Sequence, residues 1–72
     1  MHAQLDPILA TQLGVVSRRQ TWNAGVTSRQ LDRLLEQNLL VPMHRGVFRD
    51  PAAPISSDQR AMAAVLAAAR MR

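Results

Sequence analysis

The apolar positions of this chain repeat with a helical period in three stretches and alternate in a fourth. Leu5, Ile8, Leu9 and Leu13 stand at i, i+3, i+4 and i+8, one stripe of a first helix. Asp6 reads as its N-cap, Pro7 as its first helical residue and Gly14 as its stop. Val15-Val16 is a β-branched pair, enough for a very short strand. Leu31, Leu34 and Leu35 define the buried side of a later helix, and Met62, Val65, Leu66 and Ala69 that of a last one. Trp22 falls within an intervening helix and is expected in the core. From Leu39 to Arg49 the pattern alternates around Arg45-Gly46, a two-residue hairpin turn. In that register Met43 faces Phe48 and Val41 shares their side, so these three point inward; Pro42, His44 and Arg49 point outward. Pro42 confines the first hairpin strand to an edge or a bulge.

Polar residues mark where the helices begin. Ser17-Arg18-Arg19-Gln20, Thr27-Ser28-Arg29-Gln30 and Ser56-Ser57-Asp58-Gln59 all read S/T-x-x-Q. This is the capping box, in which the hydroxyl accepts from the N3 amide and the Gln reaches back to the cap amide. The boxes predict a second helix from about Arg18 to Ala24, a third from Ser28 to Gln37 ending at Asn38, and a fourth from Ser57 onward. Only Gly25, Val26 and Thr27 separate the second and third, the spacing of a helix-turn-helix. Thr21 four residues before Gly25, then Val26, Leu31 and Leu34, fit its buried positions; Gln20 stands where an apolar residue is more usual. The order of helix, short strand, two helices and hairpin predicts a mainly α fold with a small β-hairpin, a winged helix-turn-helix. Its expected bounds are residues 1–55, with the helix-turn-helix over 17–37 and the wing over 39–49; residues 56–72 form an appended C-terminal helix.

Composition narrows the chemistry. Seventy-two residues make one small domain, at a size that buries only about 60% of the surface of the unfolded chain. An apolar fraction of 47% is that of a globular chain, and the absence of Cys excludes disulfides and zinc–cysteine clusters. The longest apolar run, Ala61–Ala69, is nine residues, about half of a membrane span. The start has no basic segment leading into an apolar one, so the expectation is a cytoplasmic chain without a signal peptide. No pair of carboxylates near a His, no phosphate loop and no ligand set from His2 and His44 suggests catalysis, a metal or a cofactor. The net charge is +4, carried by nine Arg and no Lys. Residues 17–49 alone hold six Arg against Asp32 and Glu36, so the excess sits on the expected helix-turn-helix and wing. A clustered basic surface points to a polyanion, most simply double-stranded DNA.

Particular residues follow from that reading. On the third helix Arg29, Arg33 and Glu36 lie opposite the leucines. A recognition helix reaches base edges from its N-terminal part, and Arg pairs bidentately with guanine. Ser28, Arg29, Gln30 and Arg33 are therefore the candidate readers, although i,i+3 pairing of Arg29 with Asp32 and Arg33 with Glu36 would equally suit a solvated face. Arg18 and Arg19 open the second helix, where cations oppose the macrodipole but can hold a phosphate. Arg45 at the wing tip and Arg49 on the second wing strand complete the set. The apolar faces that the last helix leaves uncovered suggest a second copy or a following domain packed there. The rival reading is a winged-helix protein-interaction module, which would have no need of the Arg18, Arg19, Arg29, Arg33 and Arg45 stripe.

Four strings of the sequence carry a family likeness: Gly14-Val15-Val16-Ser17-Arg18-Arg19-Gln20, Ala24-Gly25-Val26-Thr27-Ser28-Arg29-Gln30-Leu31, His44-Arg45-Gly46-Val47-Phe48-Arg49, and Gln59-Arg60 ahead of an Ala-Val-Leu helix. Together they resemble the N-terminal winged helix-turn-helix of AbiEi-family antitoxins, the transcriptional-repressor half of type IV toxin–antitoxin systems. The likeness runs from about Pro7 to Ala69, and its most specific string is the third, where the family more often has Tyr at the position of Phe48. It implies DNA binding through the third helix and the wing. It also implies a larger C-terminal domain that follows the module and carries the antitoxin function. A similar module precedes nuclease-like domains, which makes the targeting half of a truncated nuclease another reading.

Overall fold

The computed structural model describes residues 3–70. Its elements are α1 (Asp6–Thr11), β1 (Val15–Ser17), α2 (Arg18–Asn23), α3 (Ser28–Glu36), β2 (Val41–His44), β3 (Val47–Arg49) and α4 (Ser57–Arg70). The three strands form one antiparallel sheet in the order β1-β3-β2. The short strand before the helix-turn-helix thus joins the wing hairpin, and the fold is of the winged-helix kind the order of elements predicts.

Two of the three capping boxes are complete. Ser17 Oγ accepts from the Gln20 N–H while the Ser17 N–H donates to Gln20 Oε1, and Thr27 and Gln30 repeat the arrangement at α3. The third is half formed. Ser56 Oγ accepts from the Gln59 N–H at 3.1 Å, but the Gln59 side chain turns away and donates through Nε2 to the Leu13 carbonyl. That bond ties the start of α4 to the turn between α1 and β1. Asp6 is the first residue of α1 rather than its cap; Leu5 holds the cap position without a side-chain bond, and Asp6 instead places a carboxylate in the first turn, where the helix dipole favours it. The turn after α1 is tight: Gly14 has φ +83°, and a Cβ there would run into the Cβ of Ala53.

The sheet separates two apolar clusters. On one face Leu5 at the cap of α1, Leu9 of α1, Val16, Val26, Leu31 and Leu34 of α3, Leu40 and Phe48 form the main core. On the other face Val15, Val47 and Ala63 are buried, with Met43, Met62, Leu66 and Ala67 packed around them. Alternate residues of β1 and β3 therefore feed opposite layers, as a strand buried on both faces requires. The hairpin turn is Arg45-Gly46, between paired His44 and Val47, with Gly46 at φ +74°.

Four expectations are corrected here. The register slips between Pro42 and His44, a bulge at the proline strand, so Pro42 rather than Met43 lies opposite Phe48 and Met43 joins the α4 side. On α4 the buried face is Gln59, Met62, Ala63, Leu66 and Ala67; Val65 is 64% exposed and Ala69 is exposed. Trp22 is not in the core but 61% exposed, because Thr21 takes the buried place on α2. Leu13, the last residue of the α1 stripe, lies beyond the helix with φ +60° and is exposed.

Candidate nucleic-acid interface

The helix-turn-helix is set by local chemistry. α2 ends on Ala24, Gly25 turns the chain at φ +88°, and Val26 drops into the core before Thr27 caps α3. Leu31 and Leu34 anchor α3 from beneath. Its opposite side, with Ser28, Arg29, Gln30, Asp32, Arg33 and Glu36, is exposed. Among the described residues Arg29 and Arg33 make no ion pair with Asp32 or Glu36, so both guanidiniums are open to a partner. Gln30 is partly committed, since its Oε1 closes the capping box.

The start of α2 is held against the wing. The Arg18 N–H donates to the Gly46 carbonyl at 2.8 Å, and the Arg18 guanidinium lies 5.5 Å from the centre of the Phe48 ring. A cation over an aromatic face is attracted by the ring quadrupole, which fixes a side chain that would otherwise sample many rotamers. Arg18 and Arg19 are exposed at this junction beside the turn that carries Arg45. The structure thus brings Arg18, Arg19 and Arg45 to one edge of the molecule. Arg49 is not among them. It stands at the far end of β3 from the turn, between Val15 and Val41, and is half buried. By strand alternation it shares the α4 face of the sheet with Val47.

Gln20, the misfit of the helix-turn-helix pattern, has a role that its position did not announce. Its Oε1 accepts from the Ser17 N–H and from Gln12 Nε2, and its own Nε2 donates to Gln12 Oε1 at 2.8 Å. Gln12 Nε2 also donates to the Val15 carbonyl. This amide pair fastens α1, β1 and α2 together behind the basic edge.

Trp22 belongs to that edge as well. It lines a cleft with Ser17, Arg18, Arg19, Gln20, Gly46, Leu66 and Ala69. The signal was present in the sequence: on an ideal helix Trp22 lies within about 40° of Arg18 and 60° of Arg19. Among the described residues no group of three or more metal-ligating side chains occurs, and no helix is long and apolar enough to cross a membrane.

Residues 3–49, from the start of the described chain to the end of the wing, match the family described as transcriptional regulator, AbiEi antitoxin. That family is one of regulators rather than of enzymes. No curated protein and no solved structure matches the chain. The matched segment holds α1, the helix-turn-helix and both wing strands, and stops before α4. On that match, which covers more than half of its length, the chain belongs to the AbiEi antitoxin family of transcriptional regulators.

Proposed function

We propose that this chain binds double-stranded DNA in a sequence-specific way, as the repressor module of a type IV toxin–antitoxin system acting in the cytoplasm. α3 enters the major groove and reads bases through Ser28, Arg29 and Arg33, with Gln30 contributing what its cap leaves free. Arg18, Arg19 and Arg45 hold phosphates on either side. Arg49 has no part in this contact beyond supporting the wing. The face of α4 turned away from the sheet takes a second copy or a following domain. The observation that carries the reading is the bond from the Arg18 N–H to the Gly46 carbonyl, which joins the first turn of α2 to the wing tip. It turns two separate Arg groups of the sequence into one edge, as a phosphate backbone requires.

The test is a duplex titration at several salt concentrations. The three phosphate-directed Arg contacts give a slope of log affinity against log salt of about −3. A flat response would instead favour a protein-interaction module.

A further inference from the structure

The cleft beside Trp22 has a composition that the DNA reading does not use. It lies between the first turn of α2, the hairpin turn and the last turns of α4, and its volume is about 390 Å³. Its lining combines apolar Trp22, Leu66 and Ala69 with Arg18 and Arg19, and Trp22 is largely exposed. The remaining polar groups are largely spent. Gln20 has both ends of its amide bonded, and Ser17 Oγ already accepts the capping bond. Among the described residues no carboxylate lines the cleft. Its free hydrogen-bonding capacity among the described side chains is therefore mainly donor, the Arg18 and Arg19 guanidiniums and the Ser17 O–H, which suits an anion and repels a cation.

We propose that this cleft is an effector site for a small aromatic carboxylate. The ring lies against Trp22, Leu66 and Ala69, and the carboxylate pairs with Arg18 and Arg19. A volume of this size falls in the range of small-molecule pockets. Because the same two guanidiniums face DNA in the proposed function, a bound carboxylate would compete with phosphate and lower DNA affinity. That competition rests on the DNA reading; binding of the carboxylate does not.

Trp22 is the only tryptophan, so its fluorescence reports the cleft directly. Phenylacetate, phenylacetamide and acetate would be titrated separately into the 72-residue chain at fixed ionic strength. Phenylacetate should give a saturable change, and loss of its charge in phenylacetamide or of its ring in acetate should weaken binding at least about tenfold. Ala69→Phe, at an exposed position outside the DNA contact, should fill the apolar wall and abolish the signal with an unchanged melting temperature. In a parallel duplex titration, phenylacetate should weaken DNA binding by the parent chain and not by A69F. Equal responses to phenylacetate and phenylacetamide would overturn the anion site, as would no change at millimolar concentration. A Trp22 signal that appears only on adding duplex would assign the cleft to DNA instead. Saturation by phenylacetate with undiminished DNA affinity would overturn the competition. A chain that binds no duplex but saturates with phenylacetate would sink the DNA reading and keep the site.

Discussion

Gln12 and Gln20 exchange two amide hydrogen bonds while Gln20 also closes the capping box of α2. Both side chains are half buried, so each would be costly to leave unpaired. Gln20→Leu restores the apolar residue usual at this point of a helix-turn-helix, yet it should destabilise the fold by about 1–3 kcal/mol in urea unfolding. Adding Gln12→Leu should cost less than the two single changes summed, because the double variant strands no side-chain amide. At the interface, Arg29→Ala and Arg33→Ala should each lose about 1–3 kcal/mol on the preferred duplex and relax base preference. Arg18→Ala should weaken all duplexes alike. Competition against scrambled duplex separates the two behaviours, and uniform losses from the α3 changes would make Arg29 and Arg33 phosphate contacts.

At the scale of elements, legibility followed how local the signal was. The capping boxes at Ser17 and Thr27 are written in four consecutive residues and are formed as read. The turn Arg45-Gly46 was readable for the same reason, but the bulge beyond it depends on a proline meeting a neighbouring strand and displaced Met43. α4 was placed correctly in the chain and rotated wrongly. Its alanines fit any face, so its two largest aliphatic side chains, Val65 and Leu66, drew the expected stripe. Its orientation is fixed by tertiary contacts: Gln59 is fully buried against the α1–β1 turn, and Ala63 sits on Val15 and Val47. Small side chains are needed there because the helix lies close to the sheet. Ala63→Leu should therefore overpack and cost about 1–3 kcal/mol, while Val65→Ala should stay within about 0.5 kcal/mol. Thermal unfolding of the two variants tests the rotation, and a larger loss from Val65→Ala would restore the stripe read from the sequence. Trp22 was misplaced for a related reason. A lone Trp in a helix is most often core, and only the proximity of Arg18 and Arg19 on the same face argued otherwise.

Across the whole molecule, the correct rotation of α4 leaves Ala61, Ala64, Val65 and Ala68 exposed on the side away from the sheet. Their spacing of i, i+3, i+4 and i+7 is a continuous seam, and its small side chains allow a second helix to approach closely. The helix has 14 residues, about 21 Å of contact length. A module this small presents one recognition helix, and two-fold dimers gain specificity by reading two half-sites. The net charge of +4 opposes self-association, so pairing should strengthen as salt screens that repulsion and when DNA supplies counter-charge. Sedimentation at micromolar concentration and physiological salt should show a concentration-dependent dimer. Ala64→Glu and Ala68→Glu put carboxylates in the seam without touching either core, so both should return the chain to monomer with an unchanged melting temperature and weaken binding to a two-half-site duplex more than to a single half-site. A monomer at every concentration, indifferent to both substitutions on either duplex, would mean that α4 is no contact between copies.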